Sequence, residues 1–166
     1  MYIKSIKEKW GYNLLHGISK KTPFRGLENS SFEDRIQPFI NNDIQKYILS
    51  SFLFKFDEIE LQYKFLWDPV GVIIQSGKIL DCANSDLGFG DSYKVKQKST
   101  NDIETIINNF DNEHNEFLIS NYQISGIYIA SNHPYAFQLN EIIQVAQKYN
   151  LKLYKLTNNA LVECEI

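Results

Sequence analysis

Glu116 is the carboxylate with the most suggestive setting, at the mouth of an apolar run, Phe117-Leu118-Ile119, that breaks and resumes as Ile124 to Ala130. A carboxylate held at a strand end can stabilise positive charge on a sugar or polarise a nucleophile. The other chemistry-bearing groups are more scattered. Asp81, Asp86 and Asp91 offer oxygens to a hard cation, but the reading favoured for them is a solvated acidic loop. Glu113, His114 and His133 follow no metal-ligand spacing, so no metal is expected. Phosphate-cradling glycine motifs, GxSxG, HExxH and CxxC are all missing; Gly88-Phe89-Gly90 lacks a third glycine and a helix directly after it. A nuclease of the PD-(D/E)xK type needs an acid where Tyr93-Lys94-Val95-Lys96 has Val95.

The segment from Asn115 to Ile129 resembles the late strand of ADP-ribosyltransferases, in both the poly(ADP-ribose) polymerase-like and the DarT-type branches. In the DarT-type branch a helix and a closing strand follow, as Glu141 to Tyr149 and Leu151 to Leu156 are expected to do. The resemblance implies NAD as a substrate and Glu116 as the catalytic carboxylate. Leu14-Leu15-His16-Gly17-Ile18 looks like the His-Gly-Thr opening of the polymerase-like branch, with Ile18 where that branch has a hydroxyl, and implies that His16 binds NAD. Arg25 and Arg35 are the implied pyrophosphate clamps, since a guanidinium matches phosphate oxygens in pairs. Gly77-Lys78-Ile79 is similar to the family's middle Gly-Lys strand, and Tyr93 is the distant substitute for its tyrosine. Glu163-Cys164-Glu165 has the Glu-x-Glu form of arginine-specific transferases, yet reads better as the polar face of an edge strand.

The elements that would carry these groups are expected to form one α+β domain over residues 1–166, with mixed, mostly antiparallel sheets, N-terminal helices and a C-terminal strand, helix and hairpin. The first third reads helical after an irregular start. Ser31-Phe32-Glu33-Asp34 begins a helix as a capping box does, and Ile44, Tyr47 and Ile48 suggest a second one. Alternation over Ile59 to Trp67 predicts a strand; Val70–Gln75 and Lys78–Ala83 predict a hairpin about Ser76-Gly77. Residues 84–100 read as loop with a short strand near Tyr93, and Ile103 to Phe110 as a short helix. Strand is expected at Glu116 to Ile119 and again at Ile124 to Ala130, interrupted at Ser120-Asn121. Residues 138–149 form the last predicted helix, ending at Asn150, before a hairpin about Asn158-Asn159.

Composition narrows the function classes. Hydrophobic residues make up 43% of the 166, with eleven Phe and ten Tyr, enough for a packed core. A net charge of −3 argues against a sequence-independent grip on duplex nucleic acid. No stretch reaches the roughly 18 apolar residues of a membrane span. The N-terminus lacks the apolar core of a signal peptide, and Cys82 and Cys164 lie far apart, so a reducing, cytoplasmic setting is expected. Two functions fit: an NAD-dependent transferase acting on a macromolecular acceptor, as a toxin or phage-defence effector, or a non-enzymatic immunity protein that binds and blocks a cognate toxin.

Overall fold

A computed structural model describes residues 2–10, 12–18, 31–41, 47–50, 52–55, 70–83, 104, 116–130, 137–156 and 161–166. The elements in chain order are α1 (Ile3–Trp10), β1 (Tyr12–Gly17), α2 (Phe32–Asn41), β2 (Tyr47–Ser50), β3 (Phe52–Lys55), β4 (Val70–Ala83), β5 (Glu116–Ala130), α3 (Leu139–Lys148), β6 (Lys152–Leu156) and β7 (Leu161–Cys164). The seven strands among the described residues belong to one sheet, ordered β3-β1-β4-β5-β6-β7, with β2 paired to β5 beside that path. Every pairing is antiparallel except β5 with β6, which α3 connects as a crossover. The fold is α+β, as expected.

The β4–β5 pair is the spine, and it corrects two expectations. Val70–Ala83 is one strand and no hairpin, and Glu116–Ala130 runs on through Ser120-Asn121. The turn-forming residues are spent on bulges instead. Each strand carries two irregularities of register, so the pairing shifts and then returns: Val70 faces Ile129 at one end and Ala83 faces Glu116 at the other. Gly77 at φ 149° and Asn121 at φ 50° sit at the central bulge. A Cβ on Gly77 would lie 2.7 Å from Ile119 Cγ2, so both its backbone angle and its space demand glycine.

The bulges also keep one face apolar where simple alternation would fail. Val70, Val72 and Ile74 enter the main core, then Ile79; from β5 come Phe117 and Ile119, then Tyr122, then Ile127 and Ile129. Each change of phase falls at a bulge, so both long strands remain buried on the same side. The helices cover that side: Phe32, Ile36 and Phe39 from α2, Ile142, Val145 and Ala146 from α3, and Ile3 from α1. Leu15, Ile73, Tyr128, Ala130 and Leu156 form a smaller cluster on the opposite face.

Several local expectations hold. The Ser31 hydroxyl accepts from the Asp34 amide at 3.1 Å while the Asp34 carboxylate accepts from the Ser31 amide at 3.2 Å, a reciprocal cap for α2. Asn150, at φ 52°, ends α3 in the left-handed conformation, and the Leu151 amide donates back to the Ala146 carbonyl at 2.8 Å. β6 and β7 form the expected antiparallel pair, and Cys164 is a partly buried free thiol against the main core.

The first third departs from expectation. Its start is helical (α1) and is followed by a strand, and Tyr47–Ser50 is strand where Ile44, Tyr47 and Ile48 suggested a helix. Tyr and Ile suit either structure, and the pairing of Tyr47–Ser50 with Phe117–Ser120 decides it. The predicted strand at 59–67, the loop at 84–100, the helix at 103–110 apart from residue 104, and the turn at 158–159 lie outside the described residues.

Replacing Gly77 with alanine is expected to destabilise the fold by about 1–3 kcal/mol, the usual cost of a side chain in a glycine-only backbone region. Urea unfolding with an unchanged denaturation midpoint would show that the central bulge carries no such constraint.

Candidate functional site

His16 faces Val72 near one end of β4, whereas Glu116 faces Ala83 at the other, so the ladder alone holds them a strand's length apart. The short strands β2 and β3 bring them back together. Ser50, the last residue of β2, stands opposite Phe117, and Phe52, the first of β3, stands opposite Leu15. One residue separates the two strands in the chain. The path from the Leu15 Cα through Phe52 and Ser50 to the Phe117 Cα is therefore at most roughly 18 Å. β1 and β2 themselves approach within 8 Å. The pairings β1–β4, β4–β5, β5–β2 and β3–β1 thus close a circuit, and the strands bearing His16 and Glu116 flank one crossing.

His16 is partly buried on β1, its ring 5.1 Å from that of Phe39 at an interplanar angle of 47°. Phe39 in turn lies 6.4 Å from Tyr122 of β5, whose hydroxyl donates to the Pro38 carbonyl at 3.4 Å. Burial pushes the Tyr122 phenol above its ordinary pKa, so it stays neutral at physiological pH. Arg35 shares the inward stripe of α2 with Phe32, Ile36 and Phe39 and is only 8% exposed. Arginine is seldom so buried, because a desolvated charge is costly unless it is engaged. Arg35 and Phe39 are one helical turn apart, so Arg35 stands on the same side of α2 as the residue that holds His16.

Glu116 is the first residue of β5, as expected, with its backbone opposite Ala83. β1 at His16 and the backbone at the start of β5 thus flank the β2–β3 crossing, and Arg35 stands on α2 one turn before the Phe39 that packs on His16, while Arg25 and Tyr93 lie outside the described residues. Nothing in the sequence pattern distinguishes Phe39 or Tyr122; the ring contacts of Phe39 with His16 and with Tyr122 do.

Polar contacts to α3 fix α2 in place. The Glu141 carboxylate accepts from the Phe32 amide at 2.7 Å, capping α2 from outside. Glu33 forms an ion pair with Lys148 and accepts from the Tyr149 hydroxyl at 2.6 Å, and Gln37 Nε2 donates to the same hydroxyl at 3.0 Å. The hydrogen bond from Lys148, then that from Tyr149, hold the Glu33 carboxyl below its ordinary value, and Glu33 raises Lys148 in return.

Among the described residues no group of three or more His, Cys, Asp or Glu side chains is placed to hold a metal ion. No described helix is long and apolar enough to cross a membrane. Set against protein-family models, curated proteins and solved structures, the chain matches none. Among the described side chains this region offers a partly buried imidazole on β1 and a nearly buried guanidinium on α2, with the backbone of Glu116 opening β5.

Because the Glu33 carboxyl titrates lower when folded, its contribution to stability is complete above its ordinary pKa of 4.5 and fades as pH falls through the lowered value. Glu33→Gln is therefore expected to lower the melting temperature at pH 7, with the difference from wild type closing in acid. A difference independent of pH would show that the charge of Glu33 does not anchor α2.

Proposed function

We propose that this chain is a small NAD-dependent ADP-ribosyltransferase that modifies a macromolecular acceptor, in the manner of a toxin or phage-defence effector. One observation carries the reading: the strand bearing His16 and the strand that Glu116 opens converge on the β2–β3 crossing, although they are remote in sequence and along the ladder. The likeness of residues 115–156 to the late part of that family supports it, and β5 is followed by a helix and a parallel strand. In this reading the bond between the ribose C1′ and nicotinamide breaks, and nicotinamide leaves with the bonding pair. The Glu116 carboxylate stabilises the oxocarbenium-like ribose. The acceptor nucleophile then bonds to C1′ and gives up its proton to solvent. His16 orients the nicotinamide side of NAD, and Arg35 pairs with the pyrophosphate.

The test is incubation with labelled NAD, with and without cell lysate. Wild type is expected to release nicotinamide, and Glu116→Gln to lower kcat by roughly 100-fold or more, the usual cost of losing a key charge stabiliser, while leaving the melting temperature nearly unchanged. Wild-type protein that neither consumes NAD nor gains thermal stability from it would contradict the proposal.

A second reading, an immunity protein that binds a cognate toxin, draws on a different observation. β7 is the last strand of the sheet order, and it carries Val162 at 50% exposure beside Glu163, with Glu165 and the 45% exposed Ile166 following. An acidic edge with apolar residues is suited to strand addition by a basic partner. Co-purification of a stoichiometric basic partner that is lost on Val162→Lys would favour this reading; retention would argue against it.

A further inference from the structure

We propose that Phe39 is a positioning residue that sets the orientation of the His16 ring for NAD, an inference that rests on the transferase reading above. The second torsion of a histidine side chain has a broad, shallow preference, so a partly exposed imidazole on a strand is not oriented by its own backbone. Something must pack against it. At 5.1 Å and 47° the Phe39 ring sits in the range where aromatic pairs attract in a tilted arrangement.

Phe39 is itself immobilised. It is 9% exposed, packs toward Tyr122 at 6.4 Å, and rides on a helix capped by Glu141 and tied to α3 through Glu33 and Gln37. With Phe32 and Ile36 fully buried on the same stripe, α2 cannot lift away without opening the core, so it acts as a wall behind His16 and not as a lid. One side of the imidazole is held by this wall, and the residue remains partly exposed for a ligand. Arg35, one turn earlier, is carried by the same wall. The helix thus fixes two of the proposed NAD contacts relative to each other.

The experiment compares Phe39→Leu, which keeps apolar bulk but removes the flat ring, with Phe39→Tyr, which keeps the ring. Phe39→Leu is expected to raise KM for NAD by roughly 10- to 100-fold, the scale of a misplaced binding group, with kcat changed far less; Phe39→Tyr restores KM. The His16 ring-proton signals, among those of the three histidines, should shift in Phe39→Leu as the neighbouring ring current is lost. If the leucine variant does not fold, Phe39→Met gives the same comparison. A folded leucine or methionine variant with wild-type KM and unmoved histidine signals overturns the positioning role while leaving the transferase reading intact. A wild-type protein that leaves NAD untouched removes both.

Discussion

The structure depends on two long strands staying paired and buried on one side although neither keeps a regular alternation. Were β4 and β5 paired without bulges, Ile79 and Tyr122 would point away from the helices that cover Val72 and Ile127. Extra residues in both strands change the phase and then restore it, at the cost of a glycine-only conformation at Gly77 and a left-handed Asn121. Bulges strengthen local twist and bend the strands that carry them. Such bending is what a four-residue strand such as β2 needs if it is to pair with β5 while its neighbour β3 reaches β1.

That geometry separates two jobs within one sheet. The half of the ladder nearest Val70 is sandwiched between β1 and β6 and lies under the helices, so it is mainly core. The other half carries β2 and ends at Glu116, the first residue of a strand whose interior is fixed by packing. α2 links the two halves, touching β1 through His16 and β5 through Tyr122. Its own position is set by hydrogen bonds from α3 as well as by apolar contact, which gives its inward side chains, Arg35 and Phe39, a defined place.

How much of this was readable beforehand varied along the chain for physical reasons. The closing portion was legible because its signals are local: Ile142, Val145 and Ala146 recur at helical spacing, Asn150 tolerates a positive φ, and β6 and β7 alternate. The capping box at Ser31 was legible for the same reason. Gly77 and Asn121 suggest a turn and a strand break, yet both long strands run through them, because a bulge and a turn use the same residue types and only the partner strand distinguishes them. Tyr47 and Ile48 became strand through contact with a segment about seventy residues away, which no local pattern can report. Of the candidate site, Glu116 at a strand mouth and His16 before a glycine were visible as residues; their approach through Ser50 and Phe52 was not, and neither was the burial of Arg35.

His16 and Glu116 are proposed to serve one ligand at the crossing, and a double-mutant cycle on NAD turnover using His16→Ala, Glu116→Gln and the pair together tests this most directly. The account predicts a coupling of about 0.5–3 kcal/mol between the two positions, as for groups that act on a shared partner. Effects that add to within roughly 0.5 kcal/mol, the behaviour of independent sites, would contradict it.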